Sequence, residues 1–285
     1  MTVMIDEEQS FKKILVFLLN AKGFDGNHYK TNYIKRRIAV RMRATGVSTY
    51  GDYLKTLQNS QHEPSRLLDR LTIHVTEFFR DPAVYKAVRE KIIPNIFGVS
   101  DKKVRVWCAG CSTGEEPYSL ASIFAEWASL QMGASFEIFA TDIDSKSIST
   151  AEKGEYSLES VTKIPKGLTS RWLQPEGARI SVSFDLKKRV HFRAHDLLGK
   201  WMPGLGNFDL IFCRNLLIYL SGSQQQILYA RFANALNPGG YLVLGLTETL
   251  LGPAREYFHC VDVKHRIYQN RGLSQGLNLR TKANG

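Results

Sequence analysis

The stretch from Val104 to Ser119, VRVWCAGCSTGEEPYS, contains three local signals in direct succession. Apolar residues alternate at Val104, Val106 and Cys108 after a charged run, which predicts a buried β-strand. The small residues that follow permit a tight turn with close backbone approach, and Glu-Glu-Pro suits the first turn of a helix. A strand, a small-residue turn and a helix in this order indicate a nucleotide site in an α/β sheet.

A second predicted strand, FEIFAT at 136–141, is followed at once by Asp142, where a carboxylate can accept hydrogen bonds from ribose hydroxyls. A dinucleotide dehydrogenase would show a similar pair of signals. However, the turn AGCSTG lacks the first glycine of the dinucleotide fingerprint, and Glu115 and Glu116 at the helix start would repel a pyrophosphate. A cationic or zwitterionic nucleoside fits better, and S-adenosylmethionine is the expected ligand.

Composition limits the partners and the compartment. The chain of 285 residues has room for one large and one small domain, and its formal charge of +11 implies acidic partners, either nucleic acid or an acidic protein surface. It contains no apolar run of about eighteen residues, and Asp6, Glu7 and Glu8 stand where a signal peptide would be basic. We therefore expect a cytoplasmic protein without direct membrane insertion.

Two residue pairs raise the question of a metal. Cys108 and Cys111 form a C-x-x-C, which is compatible with redox chemistry or half of a zinc site, but no second pair completes four ligands. His191 and His195 have a spacing that brings metal ligands together only on a helix, and this segment is not predicted to be helical. We expect packing cysteines and no metal.

Helical spacing of apolar residues recurs four times before Thr72 and predicts a small all-α region. On the second of these helices the predicted buried stripe consists of Ile34, Ile38 and Met42. Several cations surround this stripe: Lys35, Arg36, Arg37, Arg41 and Arg43. They are compatible with a solvated helix face or with a surface that meets an acidic partner.

The second half of the chain predicts more of the sheet. FDLIFC at 208–213 is dense in apolar residues, as a central strand would be, and Arg214 and Asn215 follow at its C-terminal end, where ligands of open α/β sheets bind. Alternation at 180–184 and again at Val190 and Phe192 predicts a small antiparallel insert. Two further alternating segments, 258–263 and 266–269, predict a closing hairpin.

Four segments, HVTEFFRD, VWCAGCSTGEEPYSLA, FATDID and FDLIFCRNLLIYL, together resemble the chemotaxis receptor methyltransferases of the CheR family. The resemblance runs from the N-terminal helices to about Asn270. It implies an S-adenosylmethionine-dependent enzyme that methylates glutamate side chains on the cytoplasmic helices of methyl-accepting chemotaxis receptors, with a glutamate methyl ester and S-adenosylhomocysteine as products. We therefore expect a monomer that associates with membrane receptor arrays and has no nucleic-acid partner.

The resemblance also implies the domain organisation. The fold class is α/β, a Rossmann-like class I methyltransferase sheet with a small antiparallel β insert, preceded by a small all-α N-terminal domain. The expected divisions are a helical receptor-docking domain at 1–75, a linker and helix at 76–100, a methyltransferase domain at 101–271 with its insert at about 167–193, and a flexible tail at 272–285.

The resemblance also implies the site residues, position by position. The expected cofactor contacts are His74, Thr76, Arg80, Gly110, Glu116, Asp142, Asp196, Leu197, Arg214 and Asn215. His74 and Asp196 both stand where the family often has Asn. The four arginines of the second predicted helix, Arg36, Arg37, Arg41 and Arg43, are the expected receptor-docking residues.

The expected catalytic residues are Arg80 and Tyr219. Arg80 would hold either the substrate carboxylate or the carboxylate of the cofactor, and Tyr219 would donate a hydrogen bond that orients the incoming oxygen. Without the resemblance, an aromatic residue that caps the sheet edge would be the preferred interpretation of Tyr219.

Two other functions and one open question remain. A nucleic-acid methyltransferase would explain the charge, but it would normally carry an N-P-P-Y-like tetrapeptide where this chain has N-L-L-I-Y. A non-catalytic adaptor that binds the cofactor and docks on receptors is the other alternative. The turn around 174–178 looks short for a peptide-gripping subdomain, so our hypothesis is that the enzyme works without a receptor tether.

Overall fold

The structure, a computed structural model, describes residues 2–72, 75–99, 103–161, 164, 171–201 and 206–272. The predicted cofactor residue His74 and the tail from residue 273 onward lie outside these ranges. The chain divides into two units, one formed by residues 1–73 with 219–225 and the other by residues 74–218 with 226–285.

Residues 2–71 of the first unit form helices and the turns that connect them, as predicted. Its helices are α1 (Thr2–Lys22), α2 (Thr31–Thr45), α3 (Tyr50–Asn59) and α4 (Glu63–Leu71), with a short 3₁₀ turn at Gly26–His28. The predicted stripe of α2, Ile34, Ile38 and Met42, is buried in the core of this unit. Helical spacing of apolar residues thus placed the buried face correctly.

The second unit is built on a seven-stranded sheet. Its strands are β1 (Val104–Ala109), β2 (Phe136–Asp142), β6 (Val190–Ala194), β7 (Phe208–Cys213), β8 (Leu236–Leu244), β9 (Phe258–Asp262) and β10 (Ile267–Asn270). They lie in the order β6-β2-β1-β7-β8-β10-β9. The first five are mutually parallel, and β10 and β9 form the predicted antiparallel hairpin at the edge.

Helices connect these strands. They are α5 (Pro82–Ala87), which continues through a π turn (Val88–Ile92) into α6 (Ile93–Val99), then α7 (Glu115–Ala128), α8 (Ser145–Lys153), α9 (Phe184–Lys187), α10 (Gly222–Ala235) and α11 (Ala254–Tyr257). None of the described helices is both long enough and apolar enough to cross a membrane.

The strand order reverses between β1 and β7, because β2 and β6 lie on one side of β1, whereas β7 and β8 lie on the other. In an open parallel sheet, the crevice at the carboxyl ends of the strands on either side of such a reversal is the usual ligand site. The ends of β1 and β7 are close together, since a Cβ at Gly110 would lie 3.1 Å from a side-chain carbon of Leu216. The topology therefore brings the glycine turn after β1 and the residues after β7 together at the C-terminal edge of the sheet.

The small antiparallel sheet differs from the predicted insert. It consists of β3 (Glu155–Ser157), β5 (Arg179–Val182) and β4 (Leu173–Glu176), in that order. Val190 and Phe192, which were assigned to the insert, lie instead in β6 and pair in parallel with β2. Because β6 is a half-exposed edge strand, its residues alternate as they would in an antiparallel hairpin. Phe184 lies in α9 and is 69% exposed.

Candidate cofactor and active site

The turn between β1 and α7 has an unusual backbone. Gly110, Ser112 and Gly114 have φ angles of 81°, 49° and 98°. The amides of Gly110 and Cys111 donate to the Thr141 carbonyl oxygen at 2.8 and 2.9 Å. These bonds fix the turn to the C-terminal end of β2.

Gly114, which precedes α7, has no room for a side chain. A Cβ there would lie 2.7 Å from the Tyr156 hydroxyl oxygen and 2.8 Å from the Ala151 Cβ. The Tyr156 hydroxyl in turn donates to the Thr113 carbonyl at 2.8 Å. The glycine is therefore required both by its backbone conformation and by the close approach of α8 and β3.

Asp142 lies at the end of β2 with its carboxylate held by backbone donors. The Ser112 amide donates to Oδ2 at 2.8 Å and the Asp144 amide to Oδ1 at 3.0 Å. The hydroxyl oxygen of Ser112 is buried without a hydrogen-bond partner in the described part of the chain. A fixed carboxylate thus lies beside a buried polar atom that a ligand can satisfy.

Asp196 and Leu197 follow β6 and lie at the same end of the sheet. The His195 amide donates to the Asp142 carbonyl at 2.8 Å, and the Leu198 amide donates to the Asp196 carboxylate at 2.9 Å. The carbonyl of Leu197 accepts a hydrogen bond from Nη1 of Arg231 at 2.5 Å. The structure therefore brings Asp142, Asp196 and Leu197 to adjacent strand ends, as the sequence predicts.

Arg214 forms the centre of a buried ionic cluster. Its side chain is 0% exposed. Its Nη2 donates to Asp81 at 2.6 Å, and its Nη1 donates to the carbonyl of Arg80 at 3.0 Å and to Glu116 at 3.4 Å. These bonds engage both Nη atoms, whereas Nε is buried without a hydrogen-bond partner in the described part of the chain. The contact of Arg214 with the cofactor stays a prediction.

Glu116, in the first turn of α7, has a side chain that is only 13% exposed. Burial raises the pKa of Glu116 to about 7, although the positive charge of Arg214 opposes the rise. Its carboxyl group therefore changes charge near neutral pH, and a cationic ligand would favour the ionised form.

Arg80 lies in a strained segment. Its neighbours Phe79 and Asp81 have φ angles of 51° and 58°. The Phe79 amide donates to the Ser119 hydroxyl at 3.0 Å, and Nη1 of Arg80 donates to the carbonyl of Val75 at 3.0 Å. Bulky residues rarely adopt positive φ, so these contacts and the Arg214 cluster hold the backbone of Arg80 in place.

Thr76 precedes this segment and is half-buried. The cofactor contact of Thr76 stays a prediction.

Asn215 has a φ of 59° and lies at the C-terminal end of β7. Its amide donates to the carboxylate of Glu248 at 3.0 Å. Glu248 is 4% exposed and was not predicted as a site residue. A signal was present, because Glu248 follows β8 just as Asp142 completes β2, and acidic residues at strand ends mark this edge of the sheet.

Tyr219 belongs to the first unit, whereas Arg80 belongs to the second. Its ring lies 4.9 Å from the ring of Tyr33, measured between centroids, and its carbonyl accepts a hydrogen bond from the Lys30 amide at 2.8 Å. The segment that carries Tyr219 is thus held by α2 and the residue before it.

The four cations of α2 have different surroundings. Arg36 and Arg43 are exposed, and the guanidinium of Arg37 lies 5.4 Å from the ring centroid of Tyr33. Arg41 instead makes a bidentate pair with Glu63 at 2.9 and 2.7 Å, and its side chain is 14% exposed. Arg41 therefore supports the helical unit and contributes least to an exposed basic face.

The cysteines of the C-x-x-C pair, Cys108 and Cys111, are buried and free. Burial raises the pKa of both thiols well above the ordinary value. Both are packing residues, as expected. Within the described ranges, no group of three or more His, Cys, Asp or Glu side chains is placed to hold a metal ion.

The strand reversal, the glycine turn and the acidic strand end define a nucleotide-type ligand site at the C-terminal edge of a Rossmann-like sheet. The family model described as "CheR methyltransferase, SAM binding domain" matches residues 74–267, and the model described as "CheR methyltransferase, all-alpha domain" matches residues 9–72. The chain belongs to the CheR methyltransferase family. The resemblance found in the sequence is thereby confirmed.

Relatives agree with this assignment. A chemotaxis protein methyltransferase of Pseudomonas putida is 32% identical over 87% of this chain and 92% of its own length. Chemotaxis protein methyltransferases of Pseudomonas aeruginosa and Escherichia coli are 31% and 32% identical, each over 84% of this chain and over 90% and 83% of their own lengths. Among solved structures, the DhpI–SAH complex covers 67% of this chain at 17% identity with a TM-score of 0.36, an overlap too loose to carry an argument.

The residues present fit S-adenosylmethionine. Asp142 offers a fixed carboxylate that can accept from hydroxyl groups. Glu116 offers a second carboxyl group, and a positively charged ligand would favour its ionised form. Ser112 presents a buried hydroxyl oxygen without a hydrogen-bond partner in the described part of the chain. The cofactor carries both ribose hydroxyls and an ammonium group, so its donors match these acceptors.

Proposed function

We propose that this chain methylates glutamate side chains on the cytoplasmic helices of chemotaxis receptors and thereby serves sensory adaptation. The products would be a glutamate methyl ester and S-adenosylhomocysteine. The observation that carries the proposal is that both CheR domain models match in succession and cover residues 9–72 and 74–267. We place the enzyme at the cytoplasmic side of receptor arrays, acting as a monomer.

The cofactor contacts are assigned to the strand ends described above. Asp142 accepts the ribose hydroxyls, and Glu116 faces the ammonium group. Backbone and side-chain groups at Gly110, Asp196, Leu197 and Asn215 complete the contacts, with Thr76 and His74 supplied by the segment before Arg80. Arg214 positions the Arg80 segment through Asp81 and the Arg80 carbonyl, and its contact with the cofactor stays a prediction.

S-adenosylmethionine, when bound, would supply a methyl group on a sulfonium, and S-adenosylhomocysteine would leave as a neutral thioether when a carboxylate oxygen bonds to the methyl carbon in line with the breaking carbon–sulfur bond. The glutamate nucleophile is already ionised near neutral pH, so the reaction needs no general base. The protein has to align the carboxylate and strip it of water while keeping it ionised. Arg80 aligns the carboxylate by pairing with it. The guanidinium carries five N–H donors, so the bond from Nη1 to the Val75 carbonyl holds the side chain and leaves other donors for the carboxylate.

Tyr219 is proposed to donate a hydrogen bond to the incoming carboxylate oxygen. Its backbone is tied to Lys30, and its ring contacts Tyr33, so the phenol is held by packing. A Tyr219→Phe variant tests this role, because it removes the hydroxyl and keeps the ring contact.

The helical unit is proposed as the receptor-docking domain. Exposed Arg36 and Arg43 lie on α2, and Arg37 is close to them. Chemoreceptor methylation sites are carboxylates, so an array of cations is complementary to the substrate helices.

The enzyme is proposed to act without a receptor tether. Strands β4 and β5 are joined by only Gly177 and Ala178, so the hairpin ends directly after the paired residues Glu176 and Arg179. Tight binding of a receptor C-terminal peptide to the isolated protein would overturn this part of the proposal.

The function is tested by incubating the protein with S-adenosylmethionine and a receptor cytoplasmic fragment, followed by peptide mass spectrometry. Methyl groups on glutamate side chains, lost with Arg80→Ala, are expected. Methylation of nucleic acid instead would favour the rival enzyme, and cofactor binding with no methylation of any acceptor would favour the adaptor.

A further inference from the structure

The carboxylate of Glu248 joins the two loops that follow β7 and β8. Its Oε2 accepts hydrogen bonds from the Gly245 amide at 2.7 Å and the Asn215 amide at 3.0 Å, and its Oε1 accepts from the Ile218 amide at 3.3 Å. One buried side chain thus accepts three backbone hydrogen bonds from two segments.

These donors need an ionised acceptor. Burial raises the pKa of the Glu248 carboxyl, and the backbone hydrogen bonds oppose that rise. A carboxylate that accepts several N–H bonds is satisfied as an anion in a buried place. A neutral amide at the same position would turn its NH₂ group toward one of the backbone donors.

The loops are also in close contact. A Cβ at Gly245 would lie 2.8 Å from the Asn215 amide nitrogen and 2.8 Å from Oε2 of Glu248. Asn215 keeps a φ of 59°, in the left-handed region where asparagine is enriched among residues other than glycine, and its amide hydrogen bond to Glu248 constrains it there. Glu248 and Gly245 together provide that constraint.

We propose that Glu248 is a positioning residue for the cofactor site, because it holds Asn215 and the segment after it in the conformation that receives S-adenosylmethionine. This inference rests on the proposed contact of Asn215 with the cofactor. It does not depend on which acceptor is methylated, since its test uses cofactor binding alone.

The test is S-adenosylhomocysteine binding by calorimetry to the full chain, with melting temperature measured in parallel. We call Glu248 and its backbone donors Asn215, Ile218 and Gly245 the clamp. Glu248→Gln changes the acceptor, and Gly245→Ala changes one donor residue. Each variant is expected to weaken binding about tenfold or more, since hydrogen bonds to a charged group are disturbed. Asn270→Ala is the matched control.

Asn270 is also 4% exposed and ties backbone together, through bonds to the carbonyls of Ala233, Leu236 and Asn237 at the other end of β8. The Asn270→Ala variant is expected to lower the melting temperature. It should leave the affinity for S-adenosylhomocysteine within about twofold of wild type, because substitutions at distant sites act independently. Wild-type affinity in Glu248→Gln, or equal losses in Glu248→Gln and Asn270→Ala, would overturn the proposal.

Hydrogen exchange of the wild-type protein gives a test that needs no variant. The amides of Asn215, Ile218 and Gly245 are expected to exchange as slowly as those of β7 and β8 before any ligand is added. Exchange at the rate of open loops would show that the clamp does not hold and would contradict the proposal.

Discussion

The Arg214 guanidinium lies 2.6 Å from the Asp81 carboxylate and joins residues 133 positions apart in the sequence. The Arg214 side chain is fully buried, and the same guanidinium donates to the Arg80 carbonyl. The end of the central strand β7 therefore fixes the segment on which the proposed catalytic arginine lies. The hydrogen bond from Arg214 to the Arg80 carbonyl therefore connects the central sheet to the proposed catalytic residue.

Arg214→Lys is expected to lower kcat/KM on the order of tenfold to a hundredfold, because an ammonium cannot bridge Asp81, Glu116 and the Arg80 carbonyl as the planar fork does, and small displacements of a positioning group are costly. Arg105→Lys is the matched control. Arg105 lies in β1, and its side chain pairs with that of Glu137 in β2 at 3.3 Å. Steady-state kinetics that showed equal losses in both variants would contradict the role of Arg214.

Affinity for S-adenosylhomocysteine is expected to rise with pH through about 7. The pKa of Glu116 is raised to about 7, so the group is neutral below that pH and ionised above it, and an ammonium ligand prefers the ionised form. Calorimetry between about pH 6 and about pH 8 should show proton release on binding at the lower pH. Glu116→Gln should flatten the profile, and a persisting slope would assign the titration to another group.

Arg41→Ala is expected to destabilise the helical unit by about 3–5 kcal/mol, because it leaves the buried Glu63 carboxylate without its cationic partner. Burial alone would raise the pKa of Glu63, but hydrogen bonds from Arg41 and Tyr53 lower it, so this stabilisation is present above the ordinary carboxyl pKa and is lost as pH falls. Chemical denaturation measures the effect.

The double variant Arg36→Ala, Arg43→Ala is expected to have the opposite profile to Arg41→Ala, with receptor binding affected and stability preserved. Both residues are exposed, so stability should change by less than about 0.5 kcal/mol, while binding to a receptor fragment weakens and becomes less sensitive to salt. Unchanged receptor binding would remove these two cations from the docking surface.

Gly114→Ala is expected to destabilise the protein far more than Gly133→Ala. Both positions have positive φ, 98° and 78°, and share a backbone cost of about 1–2 kcal/mol. Nothing lies within 4 Å of a Cβ at Gly133, whereas at Gly114 it would overlap Tyr156 and Ala151, which adds about 1–3 kcal/mol. Equal denaturation midpoints would show that the turn can relax around the extra methyl group.

The parts of the fold that depend on contiguous residues were predictable. The β1 strand, its turn and α7 lie within one stretch, and their small residues, carboxylates and apolar alternation all act locally. Asp142 was predicted for the same reason, because it completes a recognisable strand. Helical spacing likewise located the buried face of α2.

The rest depends on pairs that are distant in sequence. Arg214 could be placed at a strand end, but not its bond to Asp81, and the pairing of Arg41 with Glu63 spans 22 positions. Val190 was misassigned because an exposed edge strand and an antiparallel hairpin have the same alternation. Glu248 could be suspected only by analogy with Asp142, since its three backbone donors come together only in the folded chain.

The most direct test of the account is transfer of a labelled methyl group from S-adenosylmethionine to a receptor cytoplasmic fragment, followed by mild alkali. Carboxyl methyl esters are hydrolysed by alkali, so the account predicts label on the fragment that is released as methanol and that is absent with Arg80→Ala. Alkali-stable label, or no label on the fragment under conditions in which S-adenosylhomocysteine binds, would contradict methylation of receptor glutamates.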